Sequence, residues 1–163
     1  MKTLVRGALI AALLGGAACR QPDGRTPIPT ADQQNEIGDI ARDLLNLVNN
    51  DREAPGDLAS DLQKYTEEDA GLDQSKELTR RLIEGLEGAR LDEPTAEQLA
   101  RTLWVGLTAR DYSNRQVDAL KTELTAVLTK AGVPANRAQP IAEQLGAVQQ
   151  AITTNPKRWY QVF

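Results

Sequence analysis

The chain has 163 residues, 19 basic and 23 acidic, with no histidine and a single cysteine. Imidazole and thiolate metal sites, Ser-His-Asp and Cys-His catalysis, and a disulfide within one chain are therefore excluded. An enzyme made from this chain would depend on carboxylates, lysine or tyrosine, and its fold on apolar packing alone.

The N-terminus comes first. Lys2 and Arg6 form a basic start, Leu9 to Leu14 an apolar run, and Gly15-Gly16-Ala17-Ala18 a set of small residues directly before Cys19. No charge falls between Gly7 and Ala18, and this stretch of about twelve residues is shorter than the roughly twenty needed to span a bilayer as a helix. The layout resembles the signal peptide and lipobox of bacterial lipoproteins, with Gly16 standing where that motif usually has leucine. The resemblance implies cleavage after residue 18 and a lipid on Cys19, which would hold the protein on a bacterial membrane, facing the periplasm or the cell exterior. Arg20 stands where an aspartate would resemble an inner-membrane retention signal, so the outer membrane is favoured where the cell has one.

Residues 1–18 are thus read as signal peptide, 19–30 as a tether and 31–163 as one helical domain. The 145 residues left after cleavage suit a single domain with a core and carry 17 basic residues against 23 acidic. Such a chain predicts no nucleic-acid partner, because its basic pairs Arg80-Arg81 and Lys157-Arg158 lie far apart in sequence. Residues 20–30 contain Pro22, Gly24, Pro27 and Pro29 and no apolar periodicity. At about 3.1 Å per residue, a Pro-rich segment of this length spans roughly 30 Å.

Beyond the tether, apolar residues recur at helical spacing and no run alternates with period two. Six helices are expected. They run from Ala31 to Asn50 on Ile37, Ile40, Ala41, Leu44, Leu45 and Val48; from Pro55 to Glu68 on Leu58, Leu62 and Tyr65; and from Gln74 to Ala89 on Leu78, Leu82, Ile83 and Leu86. The others run from Thr95 to Arg110 on Leu99, Leu103 and Leu107; from Asn114 to Ala131 on Val117, Leu120, Leu124, Val127 and Leu128; and from Ala135 to Thr154 on Ile141, Leu145, Val148 and Ile152. Short connections favour antiparallel neighbours, so the predicted fold is all-α, a single antiparallel bundle of five to six amphipathic helices.

Thr30, Thr95 and Ser113 each precede a glutamine by three residues, the pattern of a capping box, and Gly132 before Pro134 reads as a helix stop. These triplets are similar to the Leu-Thr-x-x-Gln motif of the Spy and CpxP type of periplasmic helical chaperones. Pro29, Pro94 and Tyr112 replace its leucine, however, and capping accounts for the same residues. Gly85 and Gly106 interrupt two apolar stripes at a cost of about 1 kcal/mol each relative to alanine, which predicts a close helix approach at both.

Candidate chemistry is sparse. Asp69, Asp73, Ser75 and Glu77 alternate as calcium ligands can, but Gln74 and Arg80 occupy the glycine and glutamate positions of an EF-hand, so a solvated acidic turn is expected. Asp39 and Asp43 lie four apart, opposite Ile40 and Leu44, and with Glu67, Glu68 and Asp69 they read as solvated charge instead of an acid–base pair. Ser60 and Lys64 miss the Ser-x-x-Lys spacing. No catalytic residue, metal site or cofactor is assigned.

The C-terminus gathers Trp159, Tyr160 and Phe163, three of six aromatics, behind Lys157 and Arg158. Arg158, Trp159, Tyr160 and Phe163 are the candidate partner-binding residues, and folding back onto the bundle is the competing role for the rings. The functional expectation is a non-enzymatic, lipid-anchored helical module that binds an envelope protein as adaptor, assembly factor or inhibitor. The alternatives are a small-ligand carrier with a pocket between helices and a carboxylate-dependent cell-wall hydrolase. Burying one aromatic ring contributes about 1.5–3 kcal/mol, so truncation after Lys157 should lower the melting temperature by several degrees in a thermal scan. Unchanged melting with loss of an envelope partner would assign the aromatics to docking.

Overall fold

Thr30 opens the first helix by accepting a hydrogen bond from the Gln33 amide, while the Gln33 side chain accepts one from the Thr30 amide, a closed capping box. The computed structural model describes residues 30–66, 72–110 and 112–154. Six helices run through them: α1 (Ala31–Val48), α2 (Ala54–Gln63), α3 (Leu72–Leu86), α4 (Glu93–Thr108), α5 (Asn114–Lys130) and α6 (Ala135–Thr154). No strand occurs among the described residues. The protein is an all-α bundle.

Helix ends follow local chemistry. Ser113 and Gln116 close a second capping box at α5. The expected box at Thr95 and Gln98 is absent: α4 starts earlier, with Asp92 as its cap, and the Asp92 carboxylate accepts the Thr95 amide at 2.9 Å. Pro94 explains the shift, because proline lacks an amide hydrogen and sits without cost in a first helical turn, where that hydrogen has no partner anyway. Thr95 is consequently buried inside the first turn. At the other end of α5, Gly132 takes φ +84, the Val133 amide bonds to the Leu128 carbonyl and the Gly132 amide to that of Thr129. These are the paired bonds of a Schellman stop. Asn50, with φ 61, closes α1 in the same manner. α2 ends at Gln63, short of the expected Glu68.

The core is built from leucine. Ile40, Leu44, Leu58, Leu62, Leu78, Leu82, Leu99, Leu103, Leu124 and Leu145 are fully shielded from water, and the predicted stripes supply nearly all of it. Leu45, Val48 and Tyr65 are only half-buried, packed along the rim of that core, and Ile83 is half-buried as well. Among the described residues, consecutive helices pack on one another except at one step: α4 leaves α3 for α1, α5 and α6, and α6 is the common neighbour of α3, α4 and α5. Helix directions can be read from contacts. Arg81 meets Pro140 and Gln144 meets Gln74, so α3 and α6 are antiparallel. Leu145 lies against Gly106 and Gln149 bonds to the Ala109 carbonyl, so α4 and α6 run parallel.

Both stripe glycines serve close approach, as expected. A methyl group on Gly85 would collide with the Ile141 side chain, and one on Gly106 would stand 2.6, 2.8 and 2.9 Å from three carbons of Leu145. Leu145 is itself fully buried, so it has nowhere to retreat. Gly106→Ala should therefore destabilise the full chain by about 1–3 kcal/mol in urea melts, the overpacking cost outweighing the helix-propensity gain of about 1 kcal/mol. Gly38 faces open space on α1. There Gly38→Ala should stabilise by about 0.5–1 kcal/mol, giving the opposite sign for the same chemical change.

Candidate functional site

Four aspartates lie within electrostatic range of one another where α1 and α2 pack. Asp39 and Asp43 come from α1, and Asp57 and Asp61 from α2. Sequence periodicity places Asp43 with solvated charge; in the structure it is 6% exposed, and that expectation is corrected. The reason is the short second helix. Asp43 lies about 60° around α1 from Ile40 at ~100° per residue, at the edge of the apolar stripe, and α2 covers that edge with Leu58 and Leu62.

The neighbours make the position electrostatically unusual. Arg42 pairs with Asp39 at 2.5 Å and Lys64 pairs with Asp61, so the nearby cations are already engaged. No described group donates a hydrogen bond to Asp43. Burial, with the charges of Asp61, Asp57 and Asp39, pushes its carboxyl up from 3.8 to about 6, and Arg42 opposes that only in part. The Asp61 side chain is itself only 15% exposed.

At the start of α1 the same surface becomes aromatic. The Trp104 indole of α4 donates to the Glu36 carboxylate at 2.9 Å, which fixes the half-buried ring beside the carboxylates. Tyr65, just beyond α2, is also half-buried; burial, followed by the charges of Glu36, Asp61 and Asp39, pushes its hydroxyl up to about 12. Three helices thus assemble one surface from Glu36, Asp39, Asp43, Asp57, Asp61, Tyr65 and Trp104. Glu36, Ile40, Asp43 and Leu47 form a single i, i+4, i+7, i+11 row on α1, a signal available in sequence but masked by its alternation of acid and apolar residues.

Other candidates disperse. Cys19, Arg158, Trp159, Tyr160 and Phe163 lie outside the described residues, as do Asp69 and the Glu67-Glu68 pair. Asp73, Ser75 and Glu77 are on α3 instead of a solvated turn, with Ser75 fully buried. No group of three or more potential metal ligands occurs among the described residues. Arg80 and Arg81 both bond to Glu77, holding its carboxyl down at about 2; Arg80 also engages Glu84, and Arg81 the Pro140 carbonyl. These two arginines are therefore committed within the fold. A groove of about 370 Å³ between α3 and α6 runs past them to Arg137 and Ile141.

No protein-family model, curated protein or solved structure matches the chain. Its class is set by its fold alone, an all-α helical bundle, and among the described residues no helix is long and apolar enough to cross a membrane.

The sign of the Asp43 effect follows from its raised carboxyl. A group whose folded value exceeds its unfolded value adds stability below the unfolded value, here near 3.8, and loses it as pH rises through about 6. Asp43→Asn should therefore stabilise the protein at pH 7.5 by about 1–2 kcal/mol after allowance for solvent screening, and by much less at pH 4. Paired urea melts at the two pH values check it. Equal effects at both would show that the carboxyl is not shifted upward.

Proposed function

We propose that the protein is a lipid-anchored module of the bacterial cell envelope, carried by Cys19, that acts by binding a protein partner without catalysing a reaction. Adaptor, assembly factor and inhibitor are all forms of this role. The outer membrane is the favoured location where the cell has one. The N-terminal layout ending at Cys19 supports the anchor. The observation that carries the binding role is the surface shared by α1, α2 and α4, where an unpaired buried carboxyl, two half-buried rings and flanking carboxylates adjoin a leucine-filled core.

Partner contacts of this kind concentrate aromatic rings and desolvated charges at their centre. A carrier would use an apolar pocket; the α3–α6 groove is instead rimmed by Arg80, Arg81, Glu84, Glu87 and Arg137. A hydrolase would hold two carboxyls in a cleft open to substrate and water. Asp43 is largely covered by the α1–α2 seam.

Two measurements test the reading. Mass spectrometry of the membrane-associated protein should find a lipid on Cys19, and Cys19→Ser should yield soluble or precursor protein; an unmodified Cys19 in the mature membrane-bound form would remove the anchor. A photo-crosslinking residue placed at exposed Asp57 in cells should give a discrete adduct, whereas one placed at Asp118 on α5 should not. Absence of any adduct from positions sampled across all six helices would overturn the binding role.

A further inference from the structure

Asp43 resembles one half of an ion pair. The residue is 6% exposed, its carboxyl keeps a small edge open to water and accepts no hydrogen bond from the described residues, and three more carboxylates lie within electrostatic range: Asp39 on its own helix and Asp57 and Asp61 on α2. The cations within range are spent, Arg42 on Asp39 and Lys64 on Asp61. A largely buried ionised group lacking a partner is costly, and replacing Asp43 by a neutral residue would remove that cost. With Asp39 and Asp61 already paired, the uncompensated negative charge at the seam is that of Asp43 and Asp57, and a positive group arriving from outside would stabilise the ionised Asp43.

A metal ion is a poor fit, since no group of three or more potential ligands converges among the described residues. An extended cationic chain fits better. From Glu36 to Asp43 the α1 row covers about 10 Å at 1.5 Å per residue, and it ends beside the Trp104 ring that Glu36 holds in place. Arginine and lysine side chains are attracted both to desolvated carboxylates and to indole faces. The site thus offers a charge anchor at one end and an aromatic platform at the other.

We propose that the partner presents a basic, arginine- or lysine-bearing peptide segment to the α1–α2 seam, with a guanidinium or ammonium group pairing with Asp43 and a neighbouring side chain resting on Trp104. This rests on the binding role proposed above and assigns it a surface and a partner chemistry. The interaction is linked to protons: pairing stabilises the ionised carboxyl, so affinity rises with pH as Asp43 deprotonates.

The test uses the full mature chain in detergent and a short synthetic Arg-Leu repeat peptide, with its citrulline analogue as a neutral isostere, titrated by calorimetry. The arginine peptide should bind and the citrulline peptide should not. Asp43→Asn should weaken binding about tenfold or more and abolish its rise between pH 5 and 7.5. Asp118→Asn on α5 makes the same change in net charge far from the seam and should alter affinity less than about twofold at physiological salt, where distant surface charges are screened. Because Asp43→Asn is expected to stabilise the fold, lost binding cannot come from unfolding, and a melt of the same sample confirms this. Trp104→Leu should also reduce affinity.

Equal losses for Asp43→Asn and Asp118→Asn, or wild-type binding by Asp43→Asn, would reduce the interaction to general charge attraction and overturn the proposal. So would failure of the arginine peptide to bind at all. In each case an adduct obtained by crosslinking elsewhere on the bundle would leave the binding role standing and move its surface.

Discussion

Helix α6 packs closely on α3 and α4 because the positions that face Ile141 and Leu145 carry no side chain. Ile141 sits over Gly85 of α3 and Leu145 over Gly106 of α4, four residues apart along α6, so one face of that helix nests between two others. About a quarter turn around α6 from Leu145, Gly146 admits Lys121 and Val117 of α5. Dispersion attraction falls steeply with separation, so bringing backbones together at these points lets the leucines around them pack without voids. The contacts are then fixed by polar bonds that only this spacing allows. Gln144 reaches the Gln74 carbonyl, Gln149 the Ala109 carbonyl, and Arg81 the Pro140 carbonyl. The two matching segments, Leu78 to Leu86 and Leu99 to Leu107, thus place their glycines against one shared partner.

The other side of the bundle is arranged differently. α1 and α2 are joined through Asn50, whose left-handed backbone ends α1 abruptly, and α2 is only 10 residues long. Leu58 and Leu62 bury fully, yet Asp57 and Asp61 come down on the same helix and meet Asp39 and Asp43. Burying Leu58 and Leu62 therefore brings Asp57 and Asp61, one position away on the helix, toward Asp43. A neutral residue at 43 would ease that repulsion.

Much of the fold is legible in the sequence. The stripes on α1, α3, α5 and α6 locate the core because 3.6-residue periodicity is a direct consequence of burying one helix face. The Thr30 and Ser113 boxes mark helix starts because their hydrogen bonds are local. Thr95 misleads for an equally local reason: Pro94 fits a first turn so well that Asp92 takes the capping role. The carboxylate surface was not legible, because nothing local says that α2 folds over the edge of α1. Asp43 and Asp39 are the same residue type on adjacent turns, and only the approach of Leu58 and Leu62 separates a buried group from a solvated one. Trp104 and Glu36 are 68 positions apart, beyond the reach of any spacing rule.

A carboxyl lifted to about 6 is also what general acid catalysis requires, so the distinction between binding and chemistry rests on access instead of acidity. Proton transfer to a substrate needs the carboxyl within hydrogen-bond reach of a reacting atom, with room beside it for water or a second group. Asp43 presents only a small edge, and its immediate charged neighbours are carboxylates or cations already paired with them. The tip of one long cationic side chain can approach such an edge, since its charge lies at the end of a flexible stem that remains outside. Partial burial of Asp43 strengthens its attraction for such a charge, because less water is left to screen the pair.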